Sequence, residues 1–226
     1  MEAETANATD AFGIPVIPVI PSSSEAVRRK RRAIADAAAA EFLAEGFAAA
    51  SMDAITSRAG VSKATVYKHF GTKERLFLAV IAGLLRETCA GHEPRASALA
   101  EAADLRAALI ALTRDRAVLL LRPDVMALRR LVIGEIDRFP QLGRLWYRVT
   151  YDRYDGPLVE ACTELARRGQ LDVPDPVLAV QQLVAVTAGV PQLVHTFAPG
   201  TGRDPAELTR VVTSGVDLFL ARYAAS

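Results

Sequence analysis

Two cysteines in 226 residues, Cys89 and Cys162, are too few for a disulfide framework, so the composition suits a reducing compartment and the expected location is cytoplasmic. Aromatic residues make up only 6%, while Ala, Leu and Val dominate, which favours helix over sheet. No stretch alternates apolar and polar residues far enough to suggest a strand, and no internal repeat is visible. The formal net charge is +1, which excludes a global electrostatic pull toward nucleic acid or membrane. Zinc-protease spacing, a phosphate loop and a nucleophile elbow are all missing, so no enzyme activity and no cofactor are expected. Cys89 and His92, followed by Glu93, fall short of the four ligands a structural zinc site takes, so no metal site is expected either.

What is present can fold. Apolar residues reach 51% and charged residues 23%, enough to bury a core in one large or two small domains. The first residues carry Glu2, Glu4 and Asp10 where a secretory signal would be basic, and Pro15, Pro18 and Pro21 interrupt an apolar stretch. Residues 1–22 therefore read as an extended, flexible arm. Residues 177–197 carry no formal charge. Gln181, Gln182, Thr187, Gln192 and Pro191 break the run, which argues against a membrane span and for a helix buried all round, in a core or a subunit interface.

The balanced total hides an asymmetry. Residues 25–80 hold ten Lys and Arg against six acids, and every lysine lies between positions 30 and 73. A local basic patch of this kind is either the footprint of phosphate binding or a solvated, salt-bridged helix face.

Capping signals lay out an all-α chain of about nine helices. Ser22 to Glu25 forms a capping box, and the first helix runs to Glu45 before Gly46. Ser51, Ser62 and Thr72 each start a further helix. Later helices are expected over 104–121, 124–138 and 140–151, with a break at Gly156-Pro157, then over 158–168 and 177–195. Asp204-Pro205-Ala206-Glu207 is a second capping box before the last helix.

Two short helices joined by Ala59-Gly60-Val61 have the form of a helix-turn-helix, whose second helix enters the major groove. Val66 and Phe70 would hold that helix to the core. Lys63, Ala64, Thr65, Tyr67 and Lys68 would populate its outer arc, offering cations, hydroxyls and a methyl to phosphates and base edges.

The stretch from Ser51 to Leu76 resembles the DNA-binding signature of the TetR family of transcriptional regulators. The Ala59-Gly60-Val61-Ser62 turn, Thr65-Val66-Tyr67, Phe70 and Lys73-Glu74-Arg75-Leu76 carry the likeness, together with the preceding Glu45-Gly46-Phe47. The sequence departs from the family pattern at Ala64, where Gly is frequent, and at Thr56, where a small apolar residue is frequent. The stretch Arg130-Leu-Val-Ile-Gly-Glu-Ile-Asp-Arg-Phe-Pro-Gln-Leu142 is similar to a segment of the AefR-like branch.

The resemblance implies a repressor that leaves a palindromic operator on double-stranded DNA when a small apolar effector binds. It implies a helix-turn-helix domain over 23–72 and a ligand-binding and dimerisation domain over 73–226. Ser51, Tyr67, His69 and Lys73 would contact the DNA backbone; Ser62, at its helix start, could hold a phosphate, and Lys63, Ala64, Thr65 and Lys68 would face base edges or adjacent phosphates. Tyr67 could instead pack its ring internally, and His69 could be an ordinary surface histidine. Arg28, with the basic run to Arg32, would be an arm on phosphate or would touch nothing. Met126, Phe139, Trp146, Tyr147, Tyr151 and Phe197 would line an effector pocket, with Arg129 and His195 as polar partners, or would simply pack as core. The helices from Val177 to His195 and from Asp204 to Tyr223 would form a homodimer interface, with Gly189 and Gly215 permitting close approach.

Overall fold

Short polar side chains and glycines at positive φ set most of the helix ends. In the computed structural model, which describes residues 10, 14, 25–89, 96–200 and 204–225, α1 (Glu25–Ala49) is kinked at Gly46, where φ is 74°. Ser51 caps α2 (Met52–Ala59) by accepting the Ala54 N–H, and Ser62 caps α3 (Lys63–Phe70) by accepting the Thr65 N–H. Thr72 accepts from Arg75 at the start of α4 (Lys73–Cys89). A 3-10 turn (Ala96–Glu101) leads to α5 (Leu105–Leu120), capped by Asp104. Then come α6 (Pro123–Glu135), α7 (Pro140–Thr150), α8 (Gly156–Arg167), α9 (Pro176–Val184), α10 (Val190–Phe197) and α11 (Pro205–Tyr223). The described residues contain no strand, only an isolated bridge between Leu171 and Ala224. The chain is all-α as expected. The cap expected at Ser22 and the pair His92-Glu93 lie outside the described residues, as does all of the expected arm except Asp10 and Ile14. Ile14 is buried, and Asp10 pairs with Arg86 at 2.6 Å.

Two local expectations are corrected, and a third, burial of the 177–197 run in a core or a subunit interface, is met within the chain on one side only. Gly156-Pro157 does not break the chain: a π-helical turn (Tyr151–Asp155) joins α7 to α8, and a second (Ala185–Gly189) joins α9 to α10. Helical structure runs without a break through each joined pair, which leaves nine helices among the described residues. Proline supplies the physical reason. Pro157 and Pro191 each follow a π turn by two residues, and each carbonyl four residues earlier, that of Arg153 or Thr187, lies inside it. A proline ring crowds that carbonyl and donates no N–H, and the wider π turn gives it room. Second, Asp204 caps α11 through the Ala206 N–H, but Glu207 pairs with Arg210 rather than closing a capping box. Third, the 177–197 run is not buried all round within the chain. Ala179, Val180, Leu183, Thr187 and Ala188 are buried, while Val177, Leu178, Val190, Leu193, Val194 and Phe197 are exposed. Over Pro176–Phe197 the mean hydropathy reaches 1.6, so length and composition alone would allow a membrane crossing.

The described chain forms two compact units. One comprises residues up to Thr88 together with Ala127–Tyr147. Its core holds four phenylalanines, Phe42, Phe47, Phe77 and Phe139, with neighbouring ring centroids 4.9 to 6.4 Å apart, mostly edge-on or tilted. The kink at Gly46 takes the following amides out of the α1 ladder. Glu135 accepts the Phe47 N–H at 3.1 Å, and the buried Glu41 accepts the Ser51 N–H at 2.9 Å.

The other unit comprises Cys89–Met126 and Arg148–Ser226. Leu109, Leu158, Leu165, Leu183, Val216 and Phe219 anchor its core. Gly215 is where α11 meets the second π turn: a Cβ there would lie 2.9 Å from the Val186 carbonyl oxygen. The close approach expected at Gly215 is therefore made within the chain, and Gly189 has open space around it. Burial pushes the Cys162 thiol up to about 11, leaving it protonated and unreactive at neutral pH.

Candidate nucleic-acid interface

The α2–α3 pair is fixed by local bonds. Gly60 adopts φ 65°, and its N–H reaches back to the Ser57 carbonyl to end α2. Thr56 is buried without penalty because its hydroxyl donates to the Asp53 carbonyl. Val66 and Phe70 are buried, which fixes the rotation of α3. Lys63, Ala64 and Lys68 are then exposed, Tyr67 is 42% exposed, and Thr65 is half-buried with its hydroxyl 2.8 Å from that of Ser62. Tyr67 thus presents its ring outward.

The remaining expected DNA contacts have identifiable partners. Lys63 Nζ lies 2.9 Å from Asp53 on α2, and that hydrogen bond raises its pKa. Both groups are exposed, so a phosphate can take the place of the carboxylate with little loss. Lys73 donates to the Ala48 carbonyl at 3.2 Å and sits over the Phe47 ring, bracing the end of α1. Ser51 is exposed, and its side-chain oxygen is used in capping. His69 is half-buried. Burial first, then the cations Arg31, Lys68 and Lys30, hold its pKa below 6.5. The run from Arg28 to Arg32 is helical, as part of α1; Arg28 is exposed and pairs with Glu25.

The residues expected to line an effector pocket are dispersed. Phe139 belongs to the aromatic core of the first unit. Trp146 is half-buried, Tyr147 is 66% exposed, and Arg129 is half-buried, which lowers its pKa. In the second unit Met126 is buried, Tyr151 is half-buried, His195 Nδ1 lies 2.8 Å from the Pro191 carbonyl, and Phe197 is 81% exposed. None of the eight lines a cavity of about 20 Å³ in that unit. It is lined by Leu112, Leu158 and Val184 together with Thr113, Arg116, Tyr154 and Thr187. Sequence reading missed the last four. The signal available was the two prolines that place Tyr154 and Thr187 on wide turns; Arg116 is one of three arginines on α5 and does not stand out in the sequence.

Comparison with known proteins gives this geometry a family. Residues 34–80 match the bacterial regulatory proteins of the tetR family, and residues 107–225, more than half the chain, match the C-terminal domain of AefR-like transcriptional repressors. A crystal structure of a TetR-family transcriptional regulator from Mesorhizobium loti MAFF303099 is similar at 34% identity and a TM-score of 0.78, covering 90% of this chain and 100% of that one. The flavonoid-responsive regulator FrrA is similar at 29% identity and a TM-score of 0.70, covering 87% of this chain and 98% of its own. The HTH-type transcriptional activator FasR of Mycolicibacterium smegmatis is 51% identical over 45 residues, a match that spans only 20% of either chain. A capped helix pair with an exposed polar arc, matched at both ends of the chain, places this protein in the TetR family of DNA-binding transcriptional regulators, in its AefR-like branch.

Proposed function

We propose that this regulator is a cytoplasmic homodimer that represses transcription from a palindromic operator and leaves it when a small, mainly apolar effector binds. The observation that carries the reading is the outer arc of α3: Lys63, Ala64, Tyr67 and Lys68 are exposed together on a helix whose start is capped and whose other face is buried. One such helix reads a half-site, and two related by a twofold axis read halves centred about 34–36 Å apart. The uncharged exposed face of α9 and α10, together with the exposed Leu218 on α11, supports pairing through these helices, because large exposed apolar patches mark association sites. In this reading Ser51, His69 and Lys73 add contacts to the DNA backbone, and Thr65 faces base edges or adjacent phosphates. Arg28 at the start of α1 adds a phosphate contact.

Activation is the second reading, favoured by the 45-residue match to the activator FasR. Selection of bound sequences from random duplexes, followed by transcription in vitro from a promoter carrying the winner, tests both. A palindrome whose occupancy lowers transcript supports repression; a rise in transcript supports activation. Failure to enrich any sequence overturns both.

A further inference from the structure

The buried polar atoms of the second unit point to a ligand chemistry. Arg116 on α5 lines the cavity, with only 9% of its side chain exposed. One terminal nitrogen pairs with Asp155 at 2.6 Å, and the guanidinium lies over the Tyr154 ring, 5.4 Å from its centroid. Its Nε–H is buried and has no hydrogen-bond acceptor among the described residues. The two threonines on the walls have spent their hydroxyl hydrogens on their own helices, Thr113 on the Leu109 carbonyl and Thr187 on the Leu183 carbonyl. The cavity therefore presents a charge-assisted donor surrounded by Leu112, Leu158 and Val184.

We propose that the effector of this regulator is an uncharged, largely apolar molecule with a carbonyl-type oxygen, which accepts the Arg116 Nε–H while its hydrocarbon part spreads along the apolar walls. The proposal rests on the ligand-responsive reading above. Asp155 already balances the charge of Arg116, so a carboxylate ligand would bring an unmatched negative charge into an apolar enclosure. A pure hydrocarbon would leave the buried donor unpaired. At about 20 Å³ the cavity has room for one water, so the ligand binds a widened form. The widening has a place to occur. Tyr154 and Thr187 sit on the two π turns, where proline has already interrupted the helical ladder.

Three molecules of one skeleton test this by titration calorimetry on the full chain: benzylacetone (a ketone), hydrocinnamate (its carboxylate counterpart) and isopentylbenzene (its hydrocarbon counterpart). The ketone is expected to bind about tenfold or more tighter than either of the others. The double variant R116M/D155N, which removes donor and charge together without stranding Asp155, is expected to erase the preference of ketone over hydrocarbon. Tightest binding by the carboxylate overturns the proposal, as does equal binding of ketone and hydrocarbon, or binding by none of the three. The wild-type series decides even where the double variant does not fold. The same ketone is then added to the protein–operator complex. Binding without operator release removes the switch and leaves this site standing; release without calorimetric preference does the reverse.

Discussion

In the proposed complex, each exposed lysine on α3 contributes to affinity through the counterions its phosphate partner gives up. Lys68 makes no ion pair among the described residues, whereas Lys63 must exchange Asp53 for DNA. Lys68→Ala should therefore weaken operator binding more than Lys63→Ala, and should lower the slope of log affinity against log salt by about 0.9, read by fluorescence anisotropy. His69 makes a prediction about pH. Its folded-state pKa is held below 6.5, mainly by burial, so as pH falls through that value the unfolded chain takes up the proton first. Native stability should fall on acidification through this window, and His69→Gln should flatten that part of the profile in urea titrations run on either side of pH 6.5. An unchanged slope would mean that the imidazole is not the group responsible.

Elements divide into those whose cause is local and those whose cause is not. Ser51, Ser62, Thr72, Asp104 and Asp204 were legible as helix starts because a cap is a bond between a side chain and an amide two or three residues away. The buried faces of α2 and α3 were legible for the same reason, since Ile55, Val66 and Phe70 repeat at helical spacing. The π turns were not, because a proline in a helical pattern signals a break unless the preceding turn can widen. The cavity was not legible either, since Arg116, Tyr154 and Thr187 are far apart in sequence and meet only through packing. Phe139 and Phe197 look alike as large apolar side chains, yet one is buried and the other is 81% exposed. Gly215 gives the element-scale prediction. Gly215→Ala sets a methyl against the Val186 backbone and should cost about 1–3 kcal/mol in urea unfolding. A cost near zero would mean that α11 can move off the second π turn freely.

At the scale of the whole molecule the prediction concerns assembly. A charge on the outer apolar face, as in Val190→Glu or Phe197→Asp, should shift the protein toward monomer in sedimentation velocity and weaken operator binding, while thermal unfolding stays cooperative because both side chains are exposed. The second π turn bears on that face through helical phase. An α-helix advances about 100° per residue, and a π turn takes in one extra residue with little net rotation. Residues 177–185 and 190–197 therefore keep their apolar side chains on one side of the joined helices, although the spacing between the two groups is one residue out of step with an α-helical repeat. Removing one residue from this turn while also replacing Pro191 should leave that side continuous. Removing the residue alone would set half of it out of register by about 100°, and a dimer built on it would lose half its contacts without the loss of a single apolar side chain.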